Sequence, residues 1–268
     1  MECRGVTGCN SSSSSLSDSP FDCILFDLDD TLYSSDVGIG RFLRKNIEEF
    51  LMKTCGKTAE EACALRAELF RNYGSSLTGL RALGHDIHPD DYHSYVHGRL
   101  PYDAIPSNPL LRDLLQSIPQ RKIIFTNSDR EHARRALERL GLVGCFDDII
   151  CFETMNPNLF SSSVSSSSSG VVLKPSIAAF EVALCISGVH PQRTLFLDDN
   201  EKNIAAGKAA GLYTTLVGKK KNPMMTSDAD CVLSDILELR REMPEIWSAA
   251  GKKNPPGEMD AVFSPVEV

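Results

Sequence analysis

Asp27 and Asp29 stand two positions apart at the end of the apolar run CILF, just before Asp30-Thr31-Leu32. Residues i and i+2 of a strand share a face, and a turn there can aim both carboxylates into one site. Close carboxylates repel, so their proton affinities separate and one can act as nucleophile, the other as acid. A cation relieves the same repulsion, and hard oxygen ligands suit Mg²⁺, which binds through carboxylates, substrate phosphate and water. A single Asp there is as easily a turn former.

Three further groups fall at comparable places. Asp198-Asp199-Asn200 closes the run TLFL and leads to Glu201 and Asn203. Helix capping explains one of those residues and favours acids in the first turn, but does not need all of them. Thr126-Asn127-Ser128 ends another run before a helical pattern, where hydroxyl, amide and main-chain N–H groups can cradle a phosphate. Lys174-Pro175-Ser176 precedes a further helix; its plain alternative is an exposed Lys beside a Pro in the first turn.

The elements that must position these residues are legible in the apolar patterning. Strands are expected at Cys23–Asp27, Lys122–Thr126, Asp148–Phe152, Thr194–Asp198, Tyr213–Val217 and, more weakly, Asp230–Leu233. Helical patterns occupy Asn108–Ile118, Arg130–Leu140, Ser176–Ser187 and Glu201–Ala210. Alternation of this kind indicates an α/β fold with a doubly wound parallel sheet. Residues 36–103 break it with helices at Gly38–Thr54, Thr58–Tyr73 and Asp90–Gly98, which reads as an inserted helical cap domain. Its hinges fall near Tyr33–Asp36 and Leu100–Pro106. The core domain is then 21–35 and 104–240, preceded by a Ser-rich leader, 1–20, and followed by an extension, 241–268. Ligands of open α/β sheets bind beyond the carboxyl ends of the strands, where these polar groups lie.

DLDDTL at 27–32, FTN at 125–127, KP at 174–175 and LDDNEKN at 197–203 resemble, in order and approximate spacing, the four motifs of the haloacid dehalogenase (HAD) superfamily. The resemblance covers roughly residues 21–218 and implies a Rossmann-like core with a C1 type of cap. DLDDTLY and DYHSYVHGRLPYD are similar to the pyrimidine 5′-nucleotidase-like branch. It implies Asp27 as nucleophile through an aspartyl-phosphate and Asp29 as acid and then base. It implies Mg²⁺ on Asp27, the Asp29 carbonyl and Asp199, with Asp198 and Asn203 in support. Thr126, Asn127 and Lys174 would bind the phosphoryl oxygens. Asn203 replaces the Asp common in relatives. A second Asp separates phosphoryl transfer, whose leaving group needs a proton, from dehalogenation.

The insertion carries four of the six His: His85, His88, His93 and His97. His93 and His97 have an i, i+4 spacing that can bind zinc, but the sequence offers no obvious third ligand. Surface or substrate-facing histidines are the better alternatives, and His97 and Arg99, beside the hinge, are the candidates for substrate selection.

The 268 residues contain 28 Lys and Arg against 36 Asp and Glu, a net charge of -8 with 42% hydrophobic residues. That excludes a disordered chain and argues against nucleic-acid polymers and anionic membranes as partners. No apolar run approaches the ~20 residues of a membrane span. Nine scattered Cys without a C-x-x-C pair read as free thiols in a reducing cytoplasm, the nucleus and organelles being left open. A serine tract at 161–169 reads as a surface loop, and Lys219-Lys220-Lys221 as a solvated turn. The expected function is Mg²⁺-dependent hydrolysis of a small phosphorylated metabolite, a nucleoside 5′-monophosphate before pyridoxal phosphate or a sugar phosphate. A phospho-acceptor or binding protein is the competing reading, which the insertion disfavours.

Overall fold

The computed structural model describes residues 19–160, 170–219 and 228–248. Most of the leader, the serine tract, Lys220, Lys221 and the tail beyond 248 lie outside the described residues.

Six strands form one sheet: β1 (Cys23–Phe26), β2 (Arg121–Phe125), β3 (Asp148–Ile150), β4 (Thr194–Asp198), β5 (Tyr213–Val217) and β6 (Cys231–Leu233). Their order is β3-β2-β1-β4-β5-β6 and every pairing is parallel. Helices α1 (Ile39–Cys55), α2 (Ala59–Tyr73), α3 (Ser76–Ala82) and α4 (Pro89–Val96) all fall between β1 and β2. The remaining helices are α5 (Pro109–Ser117), α6 (Arg130–Leu140), α7 (Phe152–Met155), α8 (Ile177–Ser187), α9 (Glu201–Ala209) and α10 (Leu239–Glu242). This is the doubly wound α/β fold expected from the alternation.

The central strands are apolar on both faces because both are covered. Ile24, Phe26, Ile124 and Leu197 join one core with Leu111 and Leu115 of α5 and Ala133 of α6. Cys23, Leu25, Phe125 and Phe196 join the other with Phe180 of α8 and Ile204 of α9. Within the insertion, Asn46 of α1 donates a buried hydrogen bond to the Val96 carbonyl at 2.8 Å, fastening α1 to α4.

One local expectation is corrected. The third strand stops at Ile150: the Phe152 N–H donates to the Ser128 carbonyl at 3.0 Å, and Phe152 opens α7. The described part of the C-terminal extension, 241–248, packs on the core. Met243 and Ile246 are buried, and Trp247 Nε1 donates to the Ser117 carbonyl at 2.8 Å, closing the end of α5. No described helix is long and apolar enough to cross a membrane.

Candidate active site

The carboxyl ends of β1, β2 and β4 bring the sequence-predicted acids, Thr126, Asn127 and Lys174 together. β1 ends at Phe26, and the Asp27 N–H extends the ladder by donating to the Leu197 carbonyl at 2.9 Å. The chain then turns through Asp30, a non-glycine residue at φ 60, a conformation Asp tolerates better than most. That turn directs Thr31 back to Asp27, its Oγ1 donating to Oδ2 at 2.9 Å, and leaves Asp29 facing the end of β2.

Lys174 is the hub of the buried part. Its Nζ donates to Asp27 Oδ1 at 2.8 Å, to Asp198 Oδ2 at 2.7 Å and to the Phe125 carbonyl at 2.7 Å. All three of its protons are therefore used, as a buried ammonium requires. Burial opposes its charge, but Asp198 and Asp27 more than compensate and raise its proton affinity. Asp198 is fully buried; both its oxygens accept from Asn203 Nδ2, at 2.9 and 3.0 Å, and Oδ1 accepts the Asn200 N–H. Asn203 thus supports Asp198 from the first turn of α9.

Asp27, Asp198 and Asp199 offer oxygens that lie within 4.8 Å of one another. Burial, with the charges of Asp198 and Asp29, pushes Asp27 well above the usual carboxylate range despite Lys174. Burial and Asp198 push Asp199 up to about 6. One ammonium among three converging acids leaves negative charge uncompensated, and the donor set is all oxygen. These residues fit a hard divalent cation.

Asp29 stands apart from that cluster. Its oxygens accept from Tyr33 OH at 2.5 Å, Ser128 Oγ at 2.9 Å and His132 Nε2 at 2.7 Å. Burial opposes its ionisation, but the His132 charge and these three hydrogen bonds hold the carboxyl well below its ordinary range. Burial also opposes a charge on His132, and Asp29 reverses that, so the imidazole holds its proton more firmly than usual. The other ring nitrogen, Nδ1, meets Tyr102 OH at 2.8 Å.

Tyr33 and His132 were not singled out in the sequence as site residues, and Ser128 only as part of a phosphate cradle. For His132 a signal exists: it falls on the stripe His132, Ala133, Ala136, Leu137, Leu140 that α6 buries, and a polar residue in such a stripe requires a partner. Asn127 is placed differently from a simple phosphate ligand. Its side chain exchanges two hydrogen bonds with the Lys174 main chain, both 2.9 Å, and so aligns Lys174. Thr126 is buried and its Oγ1 accepts the Ser128 N–H at 3.1 Å, shaping the turn into α6.

The two selection candidates separate. His97 lines a cavity of about 440 Å³ between the insertion and the end of β2, walled by Tyr92, Phe152 and Arg44 and reaching Asn127 and Ser128. Arg99 does not line it: its guanidinium pairs with Glu49 at 2.7 Å and lies over the Tyr95 ring, because the chain has left α4 by then and faces outward.

Residues 21–211 match the model of a family described as haloacid dehalogenase-like hydrolase. Phosphate metabolism protein 8 of Saccharomyces cerevisiae is 26% identical over 196 residues, 70% of this chain and 58% of that protein. The chain thus spans less than two thirds of that relative. A phosphoglycolate phosphatase of Aquifex aeolicus is 26% identical over 208 residues, 72% of this chain and 83% of that one. Among solved structures, a HAD phosphatase from Thermococcus onnurineus superposes with a TM-score of 0.53 at 19% identity, covering 82% of this chain and 97% of that one. Magnesium-bound YfnB from Bacillus subtilis does so at 0.51 and 20%, with the same coverage. At these identities the structural likeness establishes the fold.

Proposed function

We propose that this chain, which belongs to the haloacid dehalogenase-like hydrolase family, is a Mg²⁺-dependent phosphomonoesterase for a small metabolite, a nucleoside 5′-monophosphate above others. The observation that carries this reading is the second carboxylate. Asp29 lies in the same site as Asp27 and is hydrogen-bonded to His132, whose proton that carboxylate holds more firmly than usual. A departing alkoxide needs a proton and a departing halide does not, so this pair suits an ester of phosphoric acid.

In this reading Asp27 attacks phosphorus, the bond to the ester oxygen breaks, and the Asp29–His132 pair delivers a proton to that oxygen. Water then attacks the aspartyl-phosphate, its proton passing to Asp29 and its oxygen to phosphate, which frees Asp27. Lys174 orients Asp27 and offsets the negative charge beside it, with Thr126 and Asn127 shaping the turn toward the phosphoryl oxygens. Mg²⁺ on Asp27, the Asp29 carbonyl and Asp199, with Asp198 and Asn203 behind them, would draw charge from those oxygens. The names of the two relatives, one for phosphate metabolism and one for phosphoglycolate, accord with phosphate-ester chemistry.

Residues 36–103 serve as a C1-type cap of the pyrimidine 5′-nucleotidase-like branch. The cavity beneath them supports a nucleoside: Tyr92 and Phe152 supply apolar walls for a planar base and His97 a polar edge. Buried thiols at Cys23, Cys145 and Cys151 accord with work in the cytoplasm. Phosphate release from UMP, CMP, purine monophosphates, pyridoxal phosphate and sugar phosphates, compared as kcat/KM with Mg²⁺, tests the reading. Turnover of a pyrimidine monophosphate above the rest is expected. Uniformly low nucleotide values remove the nucleotidase assignment, and undiminished activity in Asp27→Asn removes the mechanism.

A further inference from the structure

Away from the acidic cluster, three buried side chains converge where the insertion meets the core. His93 and His97 stand one turn apart on the face of α4 and at its end, their rings parallel within 3° at a centroid separation of 5.4 Å. Asp129 faces them from the residue that caps α6, accepting the His132 N–H through Oδ1 at 2.9 Å. A nitrogen from each imidazole and an oxygen of Asp129 lie within 4.8 Å of one another.

The partners of these groups are unequal. Asp129 Oδ2 is in direct contact with His97 Nδ1. His93 is only 8% exposed, yet its ring makes no hydrogen bond among the described residues. Its ring neighbours are Phe152, edge-on at 4.5 Å, Tyr92 and His97, and none accepts or donates in the ring plane. An imidazole that no protein group engages, beside a second imidazole and a carboxylate and opening on a cavity, is placed to take a ligand.

We propose that His93, His97 and Asp129 form a binding site for one Zn²⁺ ion that ties α4 to the start of α6. Two imidazoles and one carboxylate are a donor set for a borderline ion, whereas Mg²⁺ prefers all-oxygen sites. The ion takes the place of the proton between His97 and Asp129, and that proton leaves to solvent. Oδ1 of Asp129 keeps its bond to the His132 N–H, so the cap of α6 survives. A cavity of about 270 Å³ reaches all three residues and admits water as a fourth ligand. Because α4 belongs to the insertion and Asp129 to the core, the ion holds one to the other. The site shares His97 with the cavity proposed for the nucleoside and no residue with the acidic cluster, so its failure leaves the phosphoryl chemistry standing.

Calorimetric titration of Zn²⁺ into the full chain, with excess Mg²⁺ present to fill the acidic cluster, tests the site. One ion per chain is expected for the wild type and for Asp199→Asn. Affinity should fall by more than about tenfold in His93→Gln and in His97→Gln. Zn²⁺ should raise the Tm of the wild type and not of either His variant. Co²⁺ loading of the wild type reads the ligands without any substitution, so a folding defect in one variant does not decide the matter. Shifted histidine resonances are expected on Co²⁺ loading. Absence of stoichiometric binding, unchanged affinity in the His variants, or a cobalt–thiolate band placing the ion on a cysteine overturns the proposal.

Discussion

His132 and Asp29 are joined at 2.7 Å, Nε2 to Oδ1, across the gap between the first turn of α6 and the turn that follows β1. The pairing makes one proton the property of two residues. His132 favours the ionised form of Asp29 and Asp29 raises the proton affinity of His132, while Tyr102 OH engages the opposite ring nitrogen and donates onward to the His97 carbonyl at 3.3 Å. The Asp29–His132 pair is therefore positioned in part by the segment that carries Tyr102.

The Asp29–His132 pair should matter in proportion to how badly the leaving group needs a proton. Asp29→Asn is expected to lower kcat by about 10²–10⁴-fold on an alkyl phosphate and to accumulate phosphoenzyme. On p-nitrophenyl phosphate, whose leaving anion is stable, the first step should be far less affected. His132→Gln, which keeps a donor but loses the charge, should show the same contrast in weaker form. Rapid-quench measurement of both substrates checks this, and equal losses on the two would remove the proton-donor role.

Lys174→Met should leave Asp27 and Asp198 as unpaired buried acids. Breaking a buried ion pair in this way costs about 3–5 kcal/mol. Urea unfolding should register the loss, and Mg²⁺ should restore part of it by binding the folded acids. No recovery with Mg²⁺ would mean that the cation does not engage this cluster.

Gly207 lies where α9 crosses β4. A Cβ there would meet Phe196 Cδ1 at 2.8 Å and Phe180 Cε1 at 3.2 Å, both rings fixed in the core. Gly207→Ala should destabilise the protein by about 1–3 kcal/mol despite the better helix propensity of Ala. It should also weaken Mg²⁺ binding, because α9 carries Asn203 behind Asp198. Unchanged chemical stability would show that α9 can shift without cost.

His93 predicts an acid-side loss of stability in metal-free protein. Its pKa is about 3 when folded, held down by burial and His97, against about 6.5 unfolded. Above the unfolded value neither state binds the proton, and the stability is intact. As pH falls below it, only the unfolded chain gains the proton, so stability is lost through this one group by about 1.5 kcal/mol between pH 6.5 and 5. Urea unfolding of wild type and His93→Gln with a chelator present should show that difference closing as pH rises to 7.5.

What could be read without tertiary structure was whatever repeats or stands beside something local. Apolar runs bounded by polar residues located the strands, and the apolar stripe of α6 located that helix, because burial on a sheet face or helix side imposes its period on the chain. Asp27, Asp29, Asp198 and Thr126 were legible because polar residues at the ends of apolar strands, where the sheet binds its ligands, are not explained by packing. Phe152 misled, since an apolar residue following a strand looks the same whether it pairs or opens a helix.

Packing decided the partners. Lys174 reaches Asp27 from 147 positions away, and only the order of β2, β1 and β4 makes that contact short. The same order turned Asn127 toward Lys174, sent His132 to Asp29, and supplied Asp129 to two histidines that showed no third ligand along the chain. It also carried Arg99 outward to Glu49. Sequence period specifies which face a residue lies on, because it reflects backbone geometry. Which residue waits opposite depends on how distant faces meet, and no local spacing encodes that.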